Sequence, residues 1–224
     1  MAEFDLTLFE QEPVMGIIRG VEKDSLQGVL QAAYEGGLRF LEITLNTPDA
    51  LLHIKQSVKL FPDFCIGAGT VLSAESTEQV IDAGAKFIVA PNLNEEVAEY
   101  CNKNKLAYFP GALTPTEIEK AWRLGATMVK VFPASQMGPD YIKLLKGPFE
   151  QIKLMAVGGV NPENIPDYFS AGASAVALGG SIFSTKRMAD KAFSVIQKEI
   201  EEFILAVNKI YSNINIVDNT KHSN

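Results

Sequence analysis

Cysteine and histidine are scarce in this chain, two of each in 224 residues. Cys65 and Cys101 have no CxxC spacing, which argues against a disulfide framework and favours a reducing compartment. His53 falls in a stretch expected to be helical and His222 in a polar terminal stretch. Neither is expected to be catalytic, and the pair cannot assemble a histidine metal site. Basic residues are in deficit, 20 Lys and Arg against 27 Asp and Glu, for a net charge of −7. That balance lacks the basic footprint of a protein that binds nucleic acid or an anionic membrane. No apolar run approaches the roughly 20 residues that span a bilayer. Met1-Ala2-Glu3-Phe4-Asp5 carries no signal-peptide pattern, so a cytoplasmic location is expected.

What is present is an alternation. Hydrophobic content of 47% and charged content of 21% are ordinary for a globular chain long enough to bury a sizeable core. Short apolar, β-branched runs predict strands over 14–19, 40–45, 64–70, 87–90, 106–110, 129–132, 153–157 and 175–178. Helices are expected between them, over 23–35, 48–61, 74–83, 94–104, 115–124, 139–145 and 162–171, with a long closing helix near 187–210. Glu35-Gly36-Gly37, Asp82-Ala83-Gly84-Ala85 and Ser170-Ala171-Gly172-Ala173 recur where a helix ends and a strand begins, as C-cap glycines of a repeated unit. Eight such units imply a parallel sheet, and right-handed crossovers favour closure into a (β/α)8 barrel over an open doubly wound sheet. The barrel is expected over 13–211. An amphipathic helix within 1–12, with Phe4, Leu8 and Phe9 on one side, should precede it, and a polar tail over 212–224 should follow.

One residue breaks the pattern. Lys130 sits between Val129 and Val131 in an otherwise apolar strand, where an ammonium loses its hydration. Burial favours the neutral amine, which is a nucleophile for carbonyl carbon. The plainer alternative is that Lys130 snorkels past the strand end to water. Glu42 stands likewise within Phe40-Leu41-Glu42-Ile43-Thr44, either as a proton shuttle beside that lysine or as half of an ordinary ion pair. Strand-end polar residues gather at one barrel face, where active sites of this architecture lie: Arg19, Glu42, Thr44, Thr70, Asn92, Thr114 and Lys130. Arg19 has the planar fork that suits a carboxylate, or is a surface ion pair. Strands seven and eight end in Gly158-Gly159 and Gly179-Gly180-Ser181, which suit a phosphate cradle or merely permit tight turns.

Glu42 within LEITLNT, the GAGTVL phrase from Gly67, Pro110-Gly111, Lys130 within VKVFPAS, Val157-Gly158-Gly159-Val160 and Gly179-Gly180-Ser181 together resemble the 2-keto-3-deoxy-6-phosphogluconate aldolase family, which includes 4-hydroxy-2-oxoglutarate aldolases. The similarity runs from about residue 13 to residue 181. It implies a class I aldolase, free of metal and cofactor and usually homotrimeric, acting on a phosphorylated keto acid. By this resemblance Lys130 forms a Schiff base with the pyruvate portion and Glu42 shuttles protons. Thr70 and Arg19 would hold the carboxylate, Pro91 and Phe132 would pack the pocket, and Gly158, Gly159, Gly179 and Ser181 would take the phosphate. Two positions depart from the commonest phosphogluconate pattern: Asn46 stands where many members have arginine, and Val157 where they have threonine. LNTP, APN, GPDYIK and AVGGVNPEN look more like the phosphogalactonate branch, which differs in the configuration of one substrate hydroxyl. Outside that chemistry, a phosphosugar isomerase would share the phosphate site without a covalent intermediate, and a non-catalytic phosphosugar-binding barrel would bind without turnover.

Overall fold

The computed structural model describes residues 4–221, with side chains described to residue 210. Nine strands, all paired in parallel, follow the order β5-β4-β3-β2-β1-β9-β8-β7-β6. They are β1 Val14–Ile18, β2 Phe40–Thr44, β3 Cys65–Gly69, β4 Phe87–Val89, β5 Ala107–Phe109, β6 Gly111–Ala112, β7 Val129–Val131, β8 Leu154–Val157 and β9 Ala175–Leu178. The two ends of that order, β5 and β6, are neighbours in the chain separated by Pro110 alone. They are one strand interrupted where proline has no N–H to give the ladder. Pro110 still accepts from Lys130 N at 2.9 Å, so the sheet closes through it. The result is the eight-fold α/β barrel expected, with its fifth strand broken.

The helices are α1 Leu6–Gln11, α2 Leu26–Glu35, α3 Ala50–Leu60, α4 Ala74–Asp82, α5 Glu95–Lys103, α6 Pro115–Arg123, α7 Ala134–Lys146, α8 Ile165–Ser170, α9 Thr185–Ala189 and α10 Phe193–Lys221. After α2, α4 and α8 the chain turns at Gly37, Gly84 and Gly172 with φ of 98, 103 and 98°, a region that disfavours side chains. Thr114 N-caps α6 in a capping box with Glu117, so this strand-end hydroxyl is engaged in structure.

Most boundaries lie within three residues of those expected, and three features differ more. The helix expected from Pro139 begins at Ala134 and is kinked at Gly138, whose φ of 72° breaks the helical path before the proline. The single closing helix is two, α9 and α10, divided near Lys191 at φ 54°. Its backbone then stays helical to Lys221, through most of the stretch expected as a tail; residues 222–224 lie outside the described part.

The core has two layers, as strand alternation dictates. Outward residues such as Ile43, Ala68, Val129 and Val131 pack against the helices. Inward residues fill the barrel: Met15, Phe40, Phe87, Phe109, Met128 and Met155, joined by Phe9 and Phe4 from the α1 segment. Phe9 stacks edge-on to Phe40 and Phe109 at 4.8 and 5.6 Å between ring centroids. This aromatic cluster plugs one end of the barrel. Among the described residues no helix is long and apolar enough to cross a membrane.

Candidate active site

The alternation that sends Val129 and Val131 outward turns Lys130 into the barrel, above the aromatic plug. Lys130 is 6% exposed, so it does not snorkel to water. Its Nζ lies 5.3 Å from the centroid of the Phe132 ring. Burial lowers its pKa from the ordinary lysine value; the Glu42 charge opposes that shift and the Arg19 charge adds to it. At the facing wall Glu42, on β2, is 1% exposed with Oε2 buried and unpartnered. Burial raises its pKa, against the attraction of Lys130 and Arg19. Burial shifts both groups toward their neutral forms, and no direct ion pair joins them.

Glu42 is fitted by its neighbour rather than by hydrogen bonds at Oε2. A methyl group on Gly69, at the end of the adjacent β3, would lie 2.5 Å from Glu42 Oε1. The bare glycine is what leaves room for the carboxyl group. The next residue, Thr70, has φ 57°, an uncommon conformation for a β-branched side chain. Strain of this kind collects at functional sites, and here it sits at the mouth.

A cavity of about 510 Å³ opens on the far side of Phe132, the ring that Lys130 Nζ approaches. It brings together seven residues singled out from sequence: Arg19, Phe132, Val157, Gly158, Gly159, Gly179 and Ser181. Gly158 and Gly159 have φ of 98 and 74° and abut the start of α7, where Ser135 N donates to Gly158 O at 3.0 Å. A side chain at Gly179 or Gly180 would meet nothing within 4 Å. Packing therefore does not demand glycine there; what glycine leaves is backbone open to an anion. Arg19 is exposed and, among the described residues, joins no ion pair, so the surface-pair alternative does not hold.

The remaining residues lie around this space. Pro91 lines a neighbouring hollow that shares Phe132 with the cavity. Asn46 is exposed on the loop after β2, and neither it nor Thr70 lines the cavity. Lys130 and Glu42 lie in the barrel rather than on the cavity wall.

Residues that sequence reasoning passed over complete the wall: Phe183, Ser184 and Thr185 at the start of α9. Arg187, on α9, donates to Ser181 O at 2.7 Å and pairs with Glu199 at 2.5 Å, bracing the Gly179–Ser181 turn from behind. The signal for this wall is weak in the sequence because Phe183, Ser184 and Thr185 fall in the short stretch between the last strand and the expected closing helix over 187–210.

The family model for KDPG and KHG aldolase matches residues 7–210. A 2-dehydro-3-deoxy-6-phosphogalactonate aldolase of Escherichia coli (strain K12) is 35% identical over 83% of this chain and 93% of its own length. A 2-dehydro-3-deoxy-phosphogluconate aldolase of Haemophilus influenzae is also 35% identical, over 81% of this chain and 87% of its own. Among solved structures, the KDPG aldolase of Legionella pneumophila, with pyruvate captured as a covalent carbinolamine intermediate, superposes with a TM-score of 0.81 and 28% identity. That match covers 88% of this chain and 96% of the other.

Proposed function

This chain belongs to the KDPG and KHG aldolase family and is an aldolase; we propose that it works through a Schiff base on Lys130. The substrate is a 2-keto-3-deoxy-6-phospho sugar acid, cleaved reversibly to pyruvate and glyceraldehyde 3-phosphate. The observation that carries this reading is the buried Lys130 amine, its pKa lowered, facing the buried Glu42 carboxyl in one barrel.

The amine adds to the keto carbon, and loss of water leaves a protonated imine. With that imine as electron sink, removal of the C4 hydroxyl proton breaks the C3–C4 bond, releasing the aldehyde and leaving an enamine. Protonation of the enamine carbon and hydrolysis release pyruvate and restore the amine. Glu42 carries the protons in both directions, its pKa raised from the ordinary carboxylate value by burial. Arg19 and Thr70 hold the carboxylate, while Phe132 and Pro91 pack the carbon chain. The phosphate rests on Gly158, Gly159, Gly179 and Ser181. A 4-hydroxy-2-oxoglutarate would undergo the same bond cleavage to pyruvate and glyoxylate, without use of the phosphate cradle. We also take the working unit to be a homotrimer, which sedimentation would report as three chains of 24.4 kDa.

Substrate configuration turns on Val157, which is 3% exposed and lines the cavity, whereas Asn46 stands off it. Valine cannot hydrogen-bond a sugar hydroxyl, and an apolar wall discriminates by only about 1–3 kcal/mol. Gluconate- and galactonate-configured acids should therefore both be cleaved. Val157→Thr should move the kcat/KM ratio toward the gluconate isomer by about fivefold, the worth of one hydrogen bond. Strict selectivity in the unmodified enzyme, or an unchanged ratio in the variant, would place discrimination elsewhere. Failure to release pyruvate from either acid would refute the activity proposed.

A further inference from the structure

Arg19 reaches the cavity wall without a partner to fix its guanidinium among the described residues. Its direction is set by its backbone, at the point where β1 gives way to a turn. That turn is anchored from outside. Gly20, in the left-handed region at φ 70°, donates its N–H to Thr47 Oγ1 at 2.9 Å. Thr47 is 3% exposed, on the loop after β2. Its hydroxyl also lies 3.3 Å from Thr44 Oγ1, which is fully buried, and its N–H donates to Thr44 O at 2.9 Å. On the other side Thr185 closes in: its Cγ2 lies 3.0 Å from where a side chain on Gly20 would begin. A buried hydroxyl pair at the end of one strand thus holds the turn that ends its neighbour.

We propose that Thr47 is a positioning residue for the reaction, its hydroxyl fixing the Arg19–Gly20 turn and through it the guanidinium that meets the substrate carboxylate. This rests on the reading of Arg19 as the carboxylate site. Valine at position 47 would keep the volume of threonine but could not accept the Gly20 N–H. The turn would then lose its anchor while the barrel below it stayed intact. Serine would keep the acceptor.

The test uses pyruvate as the probe, which carries the carboxylate whatever sugar acid is the natural substrate. Borohydride reduction at increasing pyruvate gives the concentration that half-saturates adduct formation on Lys130, and separately the yield at saturation. For Thr47→Val the half-saturating concentration should rise about fivefold, as for one lost hydrogen bond, with the saturating yield unchanged. Thr47→Ser should restore it. Arg19→Ala should raise it by tenfold or more, as for a lost charged hydrogen bond. In that background Thr47→Val should add nothing, because a residue acting through Arg19 has nothing left to position. Thr47→Ala, run in the same two backgrounds, gives the same comparison should the valine variant fold poorly. An unchanged half-saturation in Thr47→Val, or an equal effect with and without Arg19, would overturn the inference alone. No effect of Arg19→Ala would overturn the carboxylate reading, and this inference with it.

Discussion

At one end of the barrel interior Phe4, Phe9, Phe40, Phe87 and Phe109 form an aromatic plug with ring centroids 4.8 to 5.9 Å apart. Toward the other end the barrel interior presents Glu42 and Lys130, both hidden from water but lacking a direct ion pair between them. Phe40 and Glu42 are two residues apart on β2, and Met128 and Lys130 two apart leading into β7. One step along the inward face changes an apolar contact that stabilises into a polar group whose desolvation opposes folding. The plug holds the strands at fixed separation, and the mouth uses that rigidity to keep two destabilising groups in reach of each other. Stability and chemistry are thus separated along the barrel axis, and substitutions at the two ends should separate them too.

The largest effect should come from Lys130→Met. An unbranched apolar side chain can fill the space, so the folded protein should be at least as stable to denaturant. Sign and cause agree: burial lowers the amine's folded pKa below its unfolded value of 10.5, so at neutral pH the protonated unfolded chain is relatively favoured. Turnover should fall to background, since no imine can form. A variant that loses stability while keeping activity would break the comparison at its functional end.

Phe9→Ala should do the reverse. Removing a fully buried aromatic side chain costs about 3–5 kcal/mol, read from the denaturation midpoint. The kcat of the molecules that remain folded should change by less than about twofold, because Phe9 comes from the α1 segment and belongs to the apolar plug, not to the mouth. If kcat fell in step with stability, the two ends would have to be treated as one unit.

How much of this was legible beforehand follows from the same geometry. Strands covered on both faces are continuous apolar runs, so the last one, Ala175–Leu178, matched its observed bounds and the others fell within two residues. Lys130 and Glu42 stand out because a charge inside such a run is costly to bury, although the sequence alone leaves a snorkelling lysine and an ordinary ion pair open. The break at Pro110 was less visible, since only the closed ladder shows that its carbonyl still pairs with Lys130 N. Gly69 as the space for a carboxyl group and Thr47 as the anchor of a neighbouring turn could not be read at all. Both are contacts between neighbouring strand-and-loop units, and a single sequence carries no record of which atoms meet across them.

A smaller effect sharpens the meaning of an unpaired buried group. His53 is 2% exposed on α3, with neither ring nitrogen partnered. Burial lowers its pKa, with Asp49 opposing and Lys23 reinforcing the shift. A lowered folded pKa means stability that is present above the unfolded value of 6.5 and lost as pH falls through it. His53→Leu should flatten the loss of stability that sets in as pH falls through 6.5, and leave turnover unchanged. A loss of turnover in this variant would show that unpaired burial marks function beyond the barrel mouth.

The covalent bond between Lys130 and pyruvate is the decisive link between this geometry and its chemistry. Enzyme incubated with pyruvate and reduced with borohydride should yield one adduct per chain by intact mass, mapped by peptide analysis to Lys130 and absent from Lys130→Met. Pyruvate found on another lysine, or no adduct from enzyme that still releases pyruvate from the sugar acid, would contradict it.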